Sequence, residues 1–279
     1  MNFATELLGH LERIATAMAM PRVVALHLPP VAAAGSKGGE FCAIELDDGS
    51  IGLSYVMLDD TLARLAEASP SAGLVGTGAL EVARQYALGR GPMRTLGFAA
   101  VNALTRSFFD RAGYRPPTST DSIGGLAPLP GEHIGMIGLF RPLVGTVTAA
   151  GARLTVLELR EELVGEQAGF RVSLNPADIA DCSKVLSTST ILLNDTLDDV
   201  LAACRAARRL VLVGPTAGCL PDPLFSRGVT LVGGTWIEDR QDFVARFVAG
   251  ESWSGCAAKF ALSVDAYPGF ERLLARAAR

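Results

Sequence analysis

HIGMIGLFRPLV, residues 133–144, decides the fold, because it begins a regular alternation of strands and helices. Its apolar first part is β-rich, Gly135 and Gly138 follow within it, and Pro142 suits the first turn of a helix. Four more strand-like segments come after it, namely RLTVLEL, ADCSKVLST, LVLVG and VTLVGG, and helix-like segments such as TLDDVLAACRAARR and RQDFVARFVAG lie between or after them. This alternation predicts a parallel sheet with crossover helices, as in Rossmann-like domains.

The N-terminal half has a different pattern. TELLGHLERIATAM has apolar residues at helical spacing, and FCAIELDDGSIGLSYVM places two β-rich runs around the hairpin signature Asp48-Gly49. Helical segments follow, the last of them between Pro92 and Gly113. We therefore predict an α+β domain over residues 1–118, a Pro- and Gly-rich linker over 119–131, and the Rossmann-like domain over 132–279.

Composition excludes several classes of protein. Hydrophobic residues make up 49% of the chain and charged residues 19%, as in packed globular proteins, and the net charge of -4 predicts no binding to nucleic acid. We expect no membrane span and no secretion signal, and five cysteines without a CxxC pair indicate reduced thiols in the cytoplasm. The oligomeric state stays open, a homo-oligomer included.

The carboxyl ends of the predicted strands hold the first candidate site residues, because ligands of open parallel sheets bind there. Gly135 and Gly138 predict a tight turn that leaves helix N–H groups free for an anion. Glu158 ends the next strand, where dinucleotide folds hold a ribose-binding acid. The full GxGxxG is missing and Pro142 removes a donor, so a plain strand-to-helix turn is the alternative.

The later strand ends add polar side chains. Thr188, Thr190 and Asn194 lie in STSTILLNDT, where hydroxyl and amide groups suit a carboxylate, a phosphate or a polar cofactor edge. The alternative is helix capping by Asn194 or Thr196. The last two predicted strand ends contain Gly214, Pro215, Thr216, Gly234 and Trp236. The glycines would let a ligand approach the backbone closely, Thr216 offers a hydroxyl, and Trp236 offers an aromatic wall. The alternative is that these residues only form turns.

No metal or hydrolase motif is readable in the sequence. The three histidines form no HxxxH or HExxH motif, and no GxSxG is present. Cys182 follows Asp181 near one strand segment, without ligand spacing. The cofactor therefore stays unknown, with a metal ion as one candidate whose site would have to be assembled in three dimensions.

Six segments together resemble the DUF364 family and its companion N-terminal domain DUF4213, which are associated with heavy-metal chelation. They are LGFAAVNAL, HIGMIGLFRPLV, LTVLEL, TSTILLNDTLDDVL, VLVGPTAGCLPDPLF and GVTLVGGTWI. The resemblance implies an N-terminal domain similar to the enolase N-terminal fold, joined to a Rossmann-like domain. It also implies a site in the cleft between them, with the helix around Asn102 as one wall.

The leading hypothesis is a cytoplasmic protein that binds a small polar or anionic ligand, a metal or a metallated cofactor in this cleft. Glu158 would be the charged ligand or the general base. Two alternatives stay open. The first is an enzyme that uses NAD(P) or SAM at the Gly135–Glu158 turn, and the second is a non-catalytic partner in a metalloenzyme pathway.

Overall fold

The computed structural model describes residues 1–36, 38–68, 71–121 and 123–279. Its N-terminal half contains an antiparallel sheet in the order β1-β2-β3. The strands are β1 Val23–His27, β2 Phe41–Leu46 and β3 Ile51–Tyr55. The helices are α1 Phe3–Ala17, α2 Thr61–Ala68, α3 Ser71–Leu74, α4 Ala79–Leu88 and α5 Pro92–Arg111.

Local turn chemistry in this half is as predicted. The β2–β3 hairpin turns at Asp48 and Gly49, where Gly49 has a φ of +87° that favours glycine. The Ser50 N–H donates to Asp48 Oδ1 at 2.9 Å. Pro92 begins α5, and Gly113 follows its end at a φ of +60°. The predicted hairpin and the predicted bounds of this helix are confirmed.

Helix α5 is the central element of the molecule, because most of its side chains are buried. It packs against β3 at Gly52, where a Cβ atom would lie 2.1 Å from the Ala103 nitrogen and 2.2 Å from the Ala99 oxygen. It packs against α4 at Gly97, where a Cβ would lie 2.2 Å from the Tyr86 nitrogen. These close backbone contacts fix the position of the rest of α5, Asn102 included.

The C-terminal half contains an eight-stranded mixed sheet in the order β11-β10-β9-β8-β4-β5-β7-β6. Pairing is parallel from β10 to β7 and antiparallel at both edges. The strands are β4 His133–Ile137, β5 Arg153–Leu157, β6 Gly165–Gln167, β7 Phe170–Ser173, β8 Lys184–Thr188, β9 Arg209–Val213, β10 Leu231–Ile237 and β11 Ala257–Ser263. The helices are α6 Arg141–Ala149, α7 Leu197–Ala203, α8 Asp222–Phe225, α9 Arg240–Ala249 and α10 Phe270–Ala277.

The direction of the chain through this sheet reverses at β4. From β4 the chain runs outward through β5 to β7 and then returns to β8, on the other side of β4. The loops after β4 and β8 therefore leave in opposite directions. A crevice for ligands is expected at such a switch point, beyond the carboxyl ends of the two strands.

A continuous apolar core joins the two sheets. One cluster of buried residues contains Leu11 of α1, Phe108 of α5 and Leu224 of α8, together with Leu212 of β9. The opposite face of the three-stranded sheet packs against α9, where a second cluster contains Phe243 and its neighbours. The predicted linker pairs with β11 through the Ser119 N–H and the Lys259 oxygen at 2.9 Å. Ser122 of that linker lies outside the described residues.

Several elements differ from the sequence-based expectation. Helix α7 ends at Ala203 and does not reach 209, because Arg209 begins β9, which pairs with β8. Strand β10 continues to Ile237, because β11 pairs with it over its whole length. Strands β6, β7 and β11 were not predicted. None of the helices in the described part of the chain is long and apolar enough to cross a membrane.

Candidate functional site

The turn after β4 lies at the switch point. Gly138 adopts a φ of +77°, and its N–H donates to the Leu157 oxygen at 2.9 Å. A Cβ on Gly138 would lie 2.8 Å from Thr188 Cγ2, so the turn passes directly over the end of β8. Glycine is required here by both the backbone angle and the contact.

Glu158 stabilises the same turn from the end of β5. Its carboxylate is only 11% exposed. Oε1 accepts the Leu139 N–H at 2.8 Å, and Oε2 accepts the Leu159 N–H at 3.2 Å. Arg160 lies 3.4 Å from Oε1. Because a carboxylate has about four lone-pair positions, Glu158 can hold the turn and still accept from a ligand.

The next residues of the site follow β8 and β9. The Thr188 hydroxyl accepts the Thr190 N–H at 3.3 Å and lies 3.1 Å from the Thr190 hydroxyl, as in a helical N-cap. Gly214 has a φ of +140°, and a Cβ there would lie 2.2 Å from Ser189 Oγ. Along the sheet edge these residues stand in the order Glu158, Gly138, Thr188 and Gly214, and we call them the switch-point cluster.

Tyr55, at the end of β3, faces the cluster from the N-terminal half. Its N–H donates to the Thr216 hydroxyl at 3.1 Å, two residues after Gly214. Burial raises the pKa of the Tyr55 phenol, the Glu40 charge raises it further, and the Arg160 charge lowers it. Glu40 and Arg160 therefore both lie within electrostatic range of this phenol.

Asn102 joins the two halves of the molecule through its side-chain amide. Its Nδ2 donates to the Leu53 oxygen at 2.7 Å and to the Thr216 oxygen at 2.8 Å. Its Oδ1 is buried and has no hydrogen-bond partner among the described residues. A Cβ on Gly218 would lie 3.2 Å from Asn102 Cγ. The structure therefore places Asn102 in a packed junction beside Thr216.

Trp236 belongs to the same junction. The Arg106 guanidinium lies 3.9 Å from the centre of the indole ring and donates to the Ile237 oxygen at 2.8 Å. Pro215 lines a void of about 20 Å³ beside Asn102 and Trp236, which holds about one water molecule. Gly234 packs against Phe260, since a Cβ there would lie 2.4 Å from Cζ. These residues come together, but the space between them does not admit a small molecule.

Asn194 lies apart from the other predicted residues. Its Oδ1 accepts from the Thr196 N–H at 3.1 Å and from the Thr196 hydroxyl at 2.6 Å, a local turn before α7. It also lines a cavity of about 370 Å³ between the two halves. Arg94 lines this cavity and pairs with Asp195 at 2.5 Å.

Gly135 does not form the predicted turn, because it lies inside β4. A Cβ there would lie 3.1 Å from Val185 Cγ2 and 3.3 Å from Cys182 Sγ, so the glycine makes room for packing against the neighbouring strand. Cys182 belongs to a group of three residues that the sequence did not predict to be neighbours. His133, Asp181 and Cys182 meet at the amino end of β4 and β8, the edge opposite the switch point.

The five cysteines are free and buried. Burial raises the pKa of the Cys42, Cys204 and Cys219 thiols to about 12. A thiol with such a pKa is protonated at neutral pH, so these side chains behave as small apolar groups.

The fold and the site define a mixed α/β protein with a polar switch-point cluster that faces a second, antiparallel sheet. The family model for DUF364, described as "Putative heavy-metal chelation", matches residues 125–264. The model for DUF4213, with the same description, matches residues 37–105. The chain belongs to the DUF364 family.

Two solved structures and one curated protein are similar to the chain. A DUF364-family protein of unknown function from Pyrococcus horikoshii is 20% identical, with a TM-score of 0.67, 92% of this chain covered and 100% of that chain. One from Desulfitobacterium hafniense is 19% identical, with a TM-score of 0.66 and coverages of 91% and 96%. An uncharacterized protein of Methanocaldococcus jannaschii is 27% identical over 62% of this chain and 66% of its own length, just under two thirds. The two structures support the fold alone.

Proposed function

We propose that the protein binds a small polar or anionic ligand, or a metal carried by such a ligand, in a cleft over the switch-point cluster. The observation that carries this proposal is the position of Gly138, Glu158 and Thr188 at the carboxyl ends of β4, β5 and β8, where the loops after β4 and β8 leave in opposite directions. A nearly buried carboxylate at this position supports a site for a charged or hydrogen-bonding group. Tyr55 lies on the opposite side, where its backbone N–H donates to the Thr216 hydroxyl.

The donor chemistry of the cluster decides what form a metal would take. The side chains of Glu158 and Thr188 offer oxygen donors, which suit hard cations, whereas soft metals prefer thiolate and imidazole groups. The described residues of the cluster include no histidine or cysteine. His10 packs on Phe270, His27 pairs with Glu45, and His133 lies at the opposite sheet edge. The cluster therefore does not fit a bare heavy-metal ion, and it fits better a ligand that surrounds its own metal.

The domain division belongs to the same proposal. An enolase N-terminal-like unit over residues 1–118 and a Rossmann-like unit over 132–279 would place the cleft between them, with residues 119–131 as linker. The order β7-β5-β4-β8-β9-β10 supports the second unit, since dinucleotide-binding sheets have this order. The five free cysteines support a reducing compartment such as the cytoplasm.

An enzyme that uses NAD(P) or SAM is the second candidate. The strand order and the acid at the end of β5 favour it. Against it, Pro142 in the first turn of α6 removes one anion-binding donor, and the Leu139 N–H is already bonded to Glu158.

Mass spectrometry tests the proposal. We expect protein purified without chelator or affinity nickel to carry a stoichiometric small molecule in native spectra, with elemental analysis reporting any metal. Glu158→Gln should lose it, because the neutral amide removes the charge at the switch point. Glu162→Gln, an exposed glutamate nearby, is the matched control.

Retention of the full bound mass by Glu158→Gln would contradict the proposed site. A thermal shift with NAD, NADP or SAM that Glu158→Gln abolishes would instead favour the nucleotide cofactor.

A further inference from the structure

The amino edge of the eight-stranded sheet carries a cluster that the proposed function does not use. His133 begins β4, and Asp181 and Cys182 lie in the loop before β8. Because β4 and β8 are adjacent and parallel, their amino ends meet at the same edge. One nitrogen, one oxygen and one sulfur atom of these three residues all lie within 4.8 Å of one another. We propose that His133, Asp181 and Cys182 bind a divalent transition-metal ion of the zinc class.

The imidazole of His133 is held in position for such an ion. Its Nε2 lies 2.8 Å from the Thr155 hydroxyl, and its side chain is only 12% exposed. A hydrogen bond of this kind, from the nitrogen that does not bind the metal, orients metal-binding histidines and fixes their tautomer. When Thr155 accepts the Nε2 proton, Nδ1 carries the free lone pair.

Nδ1 faces Asp181 without a hydrogen bond. Asp181 Oδ1 is 2.9 Å away, yet the buried Nδ1 has no aligned partner among the described residues. Two lone pairs at this distance repel each other unless a proton or a cation lies near both. A metal ion bound to both atoms removes this repulsion and needs only a small widening of the pair, since each bond to zinc is about 2.0–2.2 Å long.

Cys182 completes the set from the buried side. It is 1% exposed, and its sulfur lies beside Gly135, which has no side chain to exclude it. Burial, and then the charge of Asp181, raise the pKa of this thiol to about 12. Metal binding breaks the S–H bond, forms a sulfur–metal bond and releases one proton to solvent.

The surroundings allow an ion to enter. His133 and Asp181 line a cavity of about 690 Å³, and the Asp181 side chain is 71% exposed. Arg153 Nη2 lies 3.8 Å from Asp181 Oδ2, but this pair is mostly exposed and therefore weak. Three protein ligands leave one tetrahedral position for water or a small ligand. A mixed nitrogen, oxygen and sulfur set selects zinc or cobalt over calcium or magnesium, which take oxygen ligands.

Cobalt(II) is the probe for this site, because a cobalt–thiolate bond gives an absorption band in the near ultraviolet. We expect the purified full-length protein to bind one Co²⁺ with this band, and Zn²⁺ to displace it. Cys182→Ser should lose the band. Cys219→Ser, which removes another buried thiol, and Glu158→Gln, which alters only the switch-point cluster, should keep it.

Asp181→Asn guards against loss of folding, because the side chain is exposed. Loss of a residue that only hydrogen-bonds to a metal ligand already lowers metal affinity about 10–100-fold. Because Asp181 is a direct ligand in this proposal, we expect Asp181→Asn to bind Co²⁺ at least about 100-fold more weakly than the wild type. Circular dichroism reports whether each variant is folded. Binding without the thiolate band, or an unchanged Co²⁺ titration in folded Asp181→Asn, would overturn the proposal. Loss of Co²⁺ binding in Glu158→Gln, with Co²⁺ binding retained in Cys182→Ser, would move metal binding to the switch-point cluster.

Discussion

At the residue scale, single carboxylates hold the turns that position the two sheet edges. Glu158 accepts the Leu139 N–H at the carboxyl edge, and Glu132 accepts the Leu129 N–H at the amino edge. Glu132 accepts from Lys184 Nζ at 2.7 Å and from the Leu129 N–H at 2.9 Å, and Arg208 lies 3.2 Å away. It therefore attaches the end of the predicted linker to the start of β8.

The pH dependence of stability tests this role of Glu132. The Lys184 hydrogen bond, with further contributions from Leu129 and Arg208, lowers the pKa of Glu132 in the folded protein. The unfolded chain then binds more protons, so the contribution of Glu132 is complete above its unfolded pKa of about 4.3 and is lost as pH falls through the folded pKa. We expect Glu132→Gln to be less stable than the wild type at pH 7, and the difference to shrink toward zero in acid.

Urea denaturation at a series of pH values measures this difference, with the exposed Glu162→Gln as the control. A difference between wild type and Glu132→Gln that stays constant from pH 7 to pH 3 would refute the explanation, because protonation makes the two side chains nearly equivalent.

At the element scale, the approach of α5 to β3 decides how the two sheets meet. Asn102 reaches both the Leu53 and the Thr216 oxygens only because α5 lies directly on Gly52. Any side chain at position 52 would push the helix away from the strand. The junction around Thr216 depends on this contact.

Gly52→Ala is the test of this arrangement. The new Cβ would lie 2.1 Å from the Ala103 nitrogen and 2.2 Å from the Ala99 oxygen, and neither backbone atom can move alone. We expect the free energy of unfolding to fall by about 3 kcal/mol, at the upper end of overpacking effects. Chemical denaturation measures it.

Gly145→Ala is the matched control, because Gly145 lies within α6 and a Cβ there meets nothing within 4 Å. This second change should stabilise the protein by roughly 0.5–1 kcal/mol, since alanine is the better helix former. Equal effects of the two substitutions would show that the contact between α5 and β3 is looser than its geometry indicates.

At the scale of the whole molecule, the central parallel strands were predictable and the edges were not. Each central strand is an apolar run followed by Gly, Pro or polar turn residues, which are local signals. Strands β6 and β7 are short and partly exposed, so their polar residues resemble a loop. The sequence of β10 did not predict the full length of the strand. It pairs with β9 only as far as Gly233, and beyond that residue only its pairing with β11 continues, to Ile237.

The candidate site was partly predictable for the same reason. Strand ends can be read from the sequence, so Gly138, Glu158, Thr188 and Gly214 were all among the candidates at this sheet edge, and their binding role stays a prediction. The packing of Trp236 against Arg106 depends on how the halves meet. His133 and Cys182 are separated in the chain by β5, β6 and β7. They become neighbours only because β8 returns to pair with β4, and no local pattern reports that pairing.

The continuous core gives the last prediction. Helix α1 packs on α4 and α5 of its own half and on α8 and α10 of the other, so its buried Leu11 belongs to both. A chain of this length often unfolds in steps, but a shared core couples the halves. We expect calorimetry to show one transition. Leu11→Ala should cost about 2–5 kcal/mol and lower the Tm of that transition without splitting it. Two resolved transitions in the wild type would mean that the proposed domains are energetically independent, with α1 belonging to only one of them.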